Sequence, residues 1–249
     1  MDTRYYYNRN FWTNIKILLI TLLITLKRKN TLSIVDCTYT TIKEVISEIV
    51  KRAIDILGAL VGIAILIPLT IVVAIVNFVS GDRGPIFYSH ERIGKYGKHF
   101  KMYKFRSMVV DADKKLEKLL SEDEEARKEW NESRKLRNDP RITKIGKFLR
   151  KTSLDEFPQF VNVLKGEMSL VGPRAVIDDE IEMFGENKQL VLSVKPGITG
   201  YWAANGRSDT SYQERVEMES YYAKHKSIAL DINILFKTVI SVIKKEGAM

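Results

Sequence analysis

The stretch ILGALVGIAILIPLTIVVAIVNFVSG, residues 56–81, decides how this chain is organised. It contains 26 consecutive uncharged residues, and residues 63–76 are almost wholly aliphatic. About 20 apolar residues are enough for a helix to cross the hydrocarbon core of a bilayer. A helix of a soluble core is rarely apolar on all sides over this length, because one side usually faces water. The stretch therefore predicts a membrane anchor.

The path of this anchor through the membrane has two interpretations. Pro68 lies at its middle, where a proline removes a backbone hydrogen bond and clashes with the preceding turn. Basic residues flank both ends, with Lys51 and Arg52 before the anchor and Arg83 after it. Positive charge normally marks the cytoplasmic side, so these flanks favour a helix that breaks at Pro68 and returns to the same face. A spanning helix with a proline kink fits the apolar length as well, and the residues alone leave both interpretations open.

The anchor divides the chain into three blocks, residues 1–50, 51–81 and 82–249. In the first block the apolar run at residues 17–26 is only ten residues long, too short to span a bilayer core by itself. It predicts an interfacial helix or a helix packed on a neighbour, and a short spanning helix is the alternative. No small-residue cleavage pattern follows the run, so we expect no cleavable signal peptide.

Composition limits the partners and the metals that this chain can bind. The formal net charge is +9 and the pI is near 9.4, which favours anionic partners such as phospholipids, nucleotides or nucleic acid. The single Cys37 excludes an intramolecular disulfide. Three scattered histidines and one cysteine do not form a four-ligand zinc site. Any metal should be a hard ion held by carboxylates, such as Mg²⁺.

The third block predicts a mixed α/β region. Residues 85–89 and 100–105 resemble short strands joined through the turn at residues 94–97. Residues 111–136 are highly charged and predict a solvated helix. Residues 141–151, RITKIGKFLRK, form a basic amphipathic pattern. Such a helix lies in a membrane interface or packs on the protein's own core, and the pattern alone does not choose between them.

Two adjacent carboxylates follow this basic segment. Ser153 precedes Glu156 by three residues, which is a capping-box pattern and predicts that a helix starts here. The positive end of that helix would keep Asp155 and Glu156 ionised. Neighbouring helical residues point about 100° apart, so one acid could attack or accept a proton while the other holds a metal ion. The alternative is that both acids only complement the helix dipole.

Several basic residues could surround these acids. Lys104 and Arg106 alternate along YKFRSM, so a strand would point both to one face. Arg174 lies in the turn VGPRA and Arg207 in the turn NGRSD. Guanidinium groups suit phosphate because their planar donors match two oxygens. The turn KPGITG at residues 195–200 could bring backbone amides to a ligand, but it lacks the spacing of a P-loop or a Rossmann turn.

Taken together, five segments resemble a known family. They are KRAIDILGA, HERIGKYGKHFKMYKFRSM, TSLDEFPQFVNVLKGEMSLVGPR, KPGITGYWAANGRSD and YYAKHKSIALDI. In this order they resemble the bacterial sugar transferase family, the monotopic polyprenyl-phosphate phosphoglycosyl transferases that begin exopolysaccharide, capsule or glycoprotein glycan assembly. The resemblance runs from about residue 51 to residue 248, and the first 50 residues lie outside it.

The resemblance implies a role for each candidate residue. Asp155 matches the family's nucleophilic aspartate, and Glu156 matches the adjacent glutamate that helps to bind Mg²⁺. Pro68 matches the proline that breaks a re-entrant membrane helix, with Arg52 and Asp55 on its entering half. The basic positions near the phosphates are matched by the remaining candidates: Lys104, Arg106, Arg150, Arg174 and, less closely, Arg207.

Two positions depart from the family pattern. Ile67 stands where the family often has serine before the proline, so one partner for the freed backbone is missing. Ala175 replaces the second proline of the family's Pro-Arg-Pro turn, which keeps Arg174 but loosens the turn.

The resemblance implies both a fold and a reaction. The fold is a mixed, mainly helical α/β protein, with a re-entrant helix-break-helix in the membrane and a small cytoplasmic α/β catalytic domain that carries interfacial amphipathic helices. The reaction moves a sugar 1-phosphate from a UDP-sugar to polyprenyl (undecaprenyl) phosphate through an aspartyl phosphosugar intermediate, with Mg²⁺ as cofactor and UMP as product. The expected place is the cytoplasmic face of the bacterial cell membrane, in contact with anionic head groups.

Two other functions remain as alternatives from the sequence. One is a non-catalytic basic membrane adaptor, and the other is a Mg²⁺-dependent phosphatase of lipid diphosphates. Nucleic acid is not an expected partner, because the basic residues lie beside an apolar anchor without interleaved stacking aromatics. The sequence leaves open which sugar is transferred and whether the chain forms a homodimer.

Overall fold

The computed structural model describes residues 32–133, 136–206 and 210–244, and its longest element is the anchor helix. Helix α1, Leu32–Val79, is 48 residues long and contains Pro68. Its part from Ile42 to Val79 is long and apolar enough to cross a membrane. The expected anchor is therefore a helix, which is the form that satisfies every backbone group internally in lipid. The apolar run at residues 17–26 lies outside the described residues.

Helix α1 continues through Pro68 without a change of secondary structure, so the expected break is not seen as an interruption. It also runs across the boundary that the sequence predicted between residues 50 and 51. Near the proline, Thr70 Oγ1 donates a hydrogen bond to the carbonyl oxygen of Leu66, over 2.7 Å. Such a bond back to the preceding turn often accompanies a bend in a helix. The re-entrant path stays a prediction.

Two sides of helix α1 face different surroundings. One side packs on the rest of the chain, and Ala59, Leu66 and Val73 are buried there. The other side is apolar and exposed, and its residues include Leu57, Val61, Ile65, Ile71, Ile75 and Phe78. A contiguous exposed apolar surface of this kind marks a contact with a membrane or a partner.

Small residues bring helix α1 close to the body. A Cβ atom added to Gly62 would lie 2.3 Å from the ring of Phe160, and one added to Gly58 would lie 2.5 Å from a methyl group of Leu170. Either contact is too short for two carbon atoms, so larger residues at these two positions would push the helix away from the body. The glycines thus set the distance between the anchor and the rest of the fold.

The first part of the body is a hairpin. Strands β1, Phe87–Ile93, and β2, His99–Phe105, pair antiparallel, with Tyr88 opposite Lys104. A single turn of 3₁₀ helix, Lys95–Gly97, joins them, which confirms the predicted pair of strands and their turn.

Short helices and a second, parallel pair of strands complete the body. The helices are α2 Ala112–Glu122, α3 Glu124–Ser133, α4 Lys144–Lys151, α5 Gln159–Lys165, α6 Asp178–Glu182, α7 Lys188–Leu192, α8 Tyr201–Asn205, α9 Tyr212–His225 and α10 Ile228–Lys244. The parallel strands are β3, Ser169–Val171, and β4, Gly197–Thr199. The mainly helical, mixed α/β class that the sequence predicted is therefore confirmed.

Two predicted helices differ in detail from the observed ones. The charged region that was expected to form one helix is divided into α2 and α3, and Asp123 between them has extended backbone. Helix α4 starts at Lys144, where the side chain of Thr143 accepts a hydrogen bond from the backbone of Gly146. Leu149 of α4 is fully buried, whereas Phe148 is half exposed. Helix α4 thus packs on the protein's own core through one side and leaves an aromatic residue on its surface.

Candidate active site

The two adjacent carboxylates lie in a tight turn between helices α4 and α5. Asp155 and Glu156 belong to a single turn of 3₁₀ helix, Leu154–Glu156. Ser153 has φ of 55°, in the left-handed region, and its side chain caps nothing. The predicted capping box is wrong, because an N-cap residue normally has extended backbone, whereas Ser153 is left-handed and its hydroxyl binds none of the following amides. Helix α5 begins only at Gln159, so the two acids do not sit in the first turn of an α-helix as expected.

Asn162 fixes the position of this turn against strand β2. It is fully buried on helix α5, accepts a hydrogen bond from the backbone N–H of Tyr103 and donates one to the carbonyl oxygen of Lys101. The side chain therefore pairs with the strand as another strand would. Since Lys104 follows Tyr103 directly, the same contact places Lys104 beside the acidic turn.

Lys104 and Glu156 form an ion pair. Lys104 Nζ lies 2.7 Å from Glu156 Oε1, and both side chains are only partly exposed. Burial raises the pKa of Asp155 above its ordinary value, and the neighbouring charge of Glu156 raises it further. The positive charges of Lys104 and Arg150 act in the opposite direction. A carboxylate that is partly desolvated but faces two cations can stay ionised and is a better nucleophile than one in water.

Arg150 approaches the acidic turn from the last turn of helix α4. Its Nε donates a hydrogen bond to Ser107 Oγ over 2.8 Å. The carbonyl oxygen of Ser107 in turn accepts the backbone N–H of Thr143, just before α4. This chain of contacts holds the guanidinium near Asp155, in agreement with its effect on the pKa of that carboxyl.

Arg106 does not join Lys104 in this group. Strand β2 ends at Phe105, so the alternation that would place both side chains on one face stops one residue too early. The Arg106 guanidinium instead binds Asp82 and the carbonyl oxygens of Pro85 and Met108, at 2.9, 2.5 and 2.9 Å. All three of its nitrogens are used, and the hydrogen bond to Asp82 lowers the pKa of that carboxyl. This arrangement argues for a structural role between α1 and β1 rather than for contact with a substrate.

A cleft extends from Glu156 across the parallel strands. It encloses about 450 Å³, part of which is open to solvent. The residues that line the cleft include Lys104, Glu156, Arg174, Trp202 and Glu219. Ligand sites commonly present a few placed polar groups on a largely apolar wall, as this cleft does. Asp155 itself is not among the lining residues and lies beside the cleft, next to Glu156.

Arg174 is the second cation that lines the cleft, after Lys104. Its guanidinium makes no hydrogen bond to any residue within the described ranges, and its nearest aromatic contact is the ring of Trp202 at 5.8 Å. The side chain is exposed, whereas Ala175 is buried in the core. The position is thus fixed by the core while the charge stays available for an anion. Arg207 lies outside the described residues.

Glu219 is a functional candidate that sequence reasoning missed. It is 1% exposed, and its Oε1 accepts a hydrogen bond from the backbone N–H of Arg174 over 3.0 Å. The signal was present in the sequence, because Val216, Glu219 and Tyr222 are three residues apart and lie on the buried side of helix α9. An acid within an apolar stripe is unusual, because a buried carboxylate normally needs a partner.

The residues at the acidic turn fit Mg²⁺ only in part. Among the residues that the structure describes, no three His, Cys, Asp or Glu side chains are grouped closely enough to hold a metal ion. Asp155 and Glu156 are two carboxylates, and Mg²⁺ is usually bound by one or two carboxylates together with substrate phosphates and water. The donor set therefore suits a metal that arrives with a phosphorylated substrate.

Fold and site together define a class: a small α/β body on an apolar anchor helix, with paired carboxylates and cations beside a cleft. Comparison with known proteins agrees. A family model described as bacterial sugar transferase matches residues 46–245. The chain belongs to the bacterial sugar transferase family.

Similar proteins come from several bacteria. The chain is 50% identical to the UDP-galactose-lipid carrier transferase of Erwinia amylovora and 47% identical to the undecaprenyl-phosphate galactose phosphotransferase of Salmonella typhimurium, each over 81% of this chain and 42% of the relative. It is 42% identical to the exopolysaccharide production protein ExoY of Sinorhizobium fredii, over 82% of this chain and 89% of that protein. The chain thus spans about two fifths of the first two relatives and most of the third.

Proposed function

We propose that this chain is a phosphoglycosyl transferase, which moves a sugar 1-phosphate from a UDP-sugar to polyprenyl (undecaprenyl) phosphate at the cytoplasmic face of the cell membrane. The observation that carries the proposal is Asp155, a partly buried carboxylate that faces Lys104 and Arg150 beside the cleft. The names of the Erwinia and Salmonella relatives refer to a lipid carrier and to undecaprenyl phosphate. Membership of the same family supports the same class of acceptor here.

The first step forms a covalent intermediate. A carboxylate oxygen of Asp155 attacks the phosphorus nearest the sugar, and the bond from this phosphorus to the bridging oxygen breaks. UMP leaves with the electrons of that bond as a phosphate anion, so the step requires no proton. Lys104 and Arg174, which line the cleft, would offset charge on the phosphate oxygens while the bonds change.

The second step regenerates the enzyme. An oxygen of polyprenyl phosphate attacks the same phosphorus, and the bond to Asp155 breaks. The carboxylate is restored and a polyprenyl diphosphate sugar is released. Because one substrate is soluble and the other is held in lipid, the site must lie at the membrane surface, which the exposed apolar side of helix α1 favours.

Glu156, with the phosphates of the substrate, would hold Mg²⁺. The ion supplies charge stabilisation at the phosphoryl oxygens when it is bound. In the present arrangement Lys104 neutralises Glu156 Oε1. The ion pair keeps the carboxylate oriented toward the cleft before a substrate enters.

Replacement of Asp155 tests the proposal directly. Membranes that contain the wild-type chain should release UMP from at least one UDP-sugar when polyprenyl phosphate is added. Asp155→Asn should abolish UMP release and also the phosphosugar adduct, which intact-protein mass spectrometry detects as an added sugar phosphate. The matched control is Asp113→Asn on the exposed, charged helix α2, which should keep full activity.

Three results would contradict the proposal. UMP release by Asp155→Asn at the wild-type rate would show that Asp155 is not the nucleophile. Inorganic phosphate in place of UMP would favour the lipid diphosphate phosphatase. Lipid binding that survives Asp155→Ala and Glu156→Ala, without any turnover by the wild type, would favour the membrane adaptor.

A further inference from the structure

The cleft contains a buried acid that the proposed chemistry does not use. Glu219 lies on helix α9, is 1% exposed and lines the cleft together with Gly200 and Trp202. Glutamate is rarely buried to this degree without a partner for both oxygens. The position of this acid therefore needs an explanation.

The two oxygens of Glu219 have different surroundings. Oε1 accepts the backbone N–H of Arg174, whereas Oε2 is buried and has no hydrogen-bond partner within the described part of the chain. Oε2 lies next to Gly200, where a Cβ atom would be 3.8 Å from this oxygen. An unpaired buried acceptor is unfavourable. A ligand that donates a hydrogen bond to Oε2 would remove this cost.

The nearby Arg215 does not pair with Oε2 of Glu219. Arg215, also on α9, donates to Glu180 Oε1 over 2.6 Å and stacks on the ring of Trp202 at 4.8 Å. Burial raises the pKa of Glu219 to about 7 in spite of the nearby positive charges of Arg174 and Arg215. A carboxyl group in this range can become an acceptor when a donor arrives, at little cost near neutral pH.

The direction of the reaction suggests which part of the substrate reaches Glu219. In phosphoryl transfer the attacking and leaving oxygens are roughly in line with the phosphorus. Asp155 lies beside the cleft and Glu156 lines it. A nucleotide that leaves away from Asp155 therefore enters the cleft, while the sugar stays on the transferred phosphorus. Arg174 can bind the second phosphate, and the nucleoside then lies toward Glu219 and Trp202.

We infer that Glu219 recognises the nucleoside half of the nucleotide sugar, with Oε2 accepting a hydrogen bond from the imide N–H of the base or from a ribose hydroxyl. This inference rests on the proposed function for the identity of the substrate. It assigns the nucleotide, and not the sugar or the lipid, to the part of the cleft formed by α8 and α9.

The test compares UMP binding by the detergent-solubilised full chain and two variants, measured by calorimetry. Glu219→Gln keeps an oxygen for the Arg174 N–H but can replace Oε2 with an NH₂ group, which cannot accept a hydrogen bond. We expect UMP to bind roughly 10- to 100-fold more weakly, the usual effect of losing a hydrogen bond to a charged group. Glu217→Gln is the control, because Glu217 is on the same helix and exposed.

Nucleotide analogues identify the donor. If the wild type binds N3-methyl-UMP more weakly than UMP and Glu219→Gln does not distinguish them, the imide is the donor. If the same pattern holds for 2′-deoxy-UMP or 3′-deoxy-UMP, a ribose hydroxyl is the donor. Either pattern supports the inference, and the unfolding temperature shows whether each variant is folded. Should Glu219→Gln fail to fold, Glu219→Asp, which withdraws the carboxylate by one methylene group, takes its place.

Other results would overturn the inference. Equal affinity for UMP in the wild type and Glu219→Gln would place the nucleoside elsewhere. So would an effect of Glu219→Gln that is seen only in the binding of UDP-sugars and varies with the sugar. Such a result leaves the proposed function intact if the wild type still releases UMP from a UDP-sugar. Conversely, UMP binding that depends on Glu219 without any transfer of sugar phosphate would contradict the proposed function alone.

Discussion

Lys104 interacts with both acids of the proposed active site, Asp155 and Glu156, in different ways. It forms an ion pair with Glu156 and lowers the pKa of Asp155, while burial and the charge of Glu156 raise it. The reaction needs an ionised Asp155, so activity should fall as the pH drops through the pKa of this group. Removing the positive charge should raise that pKa further and move the loss of activity to higher pH.

Lys104→Met tests this effect. The pH dependence of kcat/KM reports the ionisation of the free enzyme, and we expect its acidic limb to shift to higher pH in the variant. The control is Lys101→Met, since Lys101 is exposed on the same strand, and its profile should coincide with that of the wild type. An unshifted acidic limb in Lys104→Met would show that Lys104 acts only in binding the substrate, or that another group is titrated.

At the scale of elements, the contact between helix α1 and strand β3 joins the anchor to the body. Asp55 is buried on α1, and its Oδ1 accepts hydrogen bonds from Ser169 Oγ and from the backbone N–H of Leu170, each over 2.9 Å. Lys51, one turn earlier, binds Asp231 of α10 and the carbonyl oxygen of Val171. Polar contacts of this kind fix the position of the helix, in addition to its apolar packing.

Asp55→Ala should therefore destabilise the fold. It leaves two buried donors without an acceptor, at a cost of about 1–3 kcal/mol each. Asp55→Asn should be milder, because both bonds are to Oδ1 and an amide oxygen can still accept them. Thermal unfolding in detergent measures the difference, with Lys43→Ala at an exposed position of the same helix as control. Equal unfolding temperatures for Asp55→Ala and Lys43→Ala would contradict this role.

The elements were predictable from sequence where the local pattern and the tertiary contacts agree. The strands around residues 94–97, helix α4 and the apolar anchor helix follow from turn residues and periodicity. The start of a helix at Ser153 was not predictable, because its left-handed backbone depends on how α4 and α5 pack. The grouping of Lys104 with Glu156 depends on Asn162, whose pairing with β2 spans about 60 residues of sequence and leaves no local pattern.

The position of Arg106 was not predictable, because it depends on where strand β2 ends. The expectation for Arg106 assumed that the strand continued past Phe105, and the residue turned instead toward Asp82. Glu219 is the opposite case, a candidate site residue that was not predicted. Its place on the buried side of α9 could be read from the sequence, but it belongs to no known motif. Apolar periodicity predicts which side of a helix is buried. Which group a buried charged side chain binds depends on the neighbouring elements, and periodicity does not predict it.

For the whole molecule, the placement of the body along helix α1 bears on the path through the membrane. The body contacts the helix at Asp55, and it still covers Val73, which packs with Phe105 and Leu149 on the far side of Pro68. The 18 residue steps from Asp55 to Val73 correspond to about 27 Å of helix, close to the ~30 Å thickness of a bilayer core. A helix that spanned the bilayer here would carry the charged body into the hydrocarbon. The packing thus favours a helix whose exposed apolar side enters the membrane while both of its flanks stay on one side.

Cysteine labelling tests this topology in cells. With Cys37 replaced by serine, Val50→Cys and Arg83→Cys place single thiols before and after the apolar stretch, at positions that are both exposed. A re-entrant or interfacial helix predicts that a membrane-impermeant maleimide labels neither residue in intact spheroplasts and labels both after lysis. The control is Asp113→Cys in the body, which should show the same protection and the same release. Labelling of residue 50 and residue 83 from opposite sides would contradict a one-sided helix, and the body would then have to separate from the part of α1 beyond Pro68, with loss of the contacts that bury Val73.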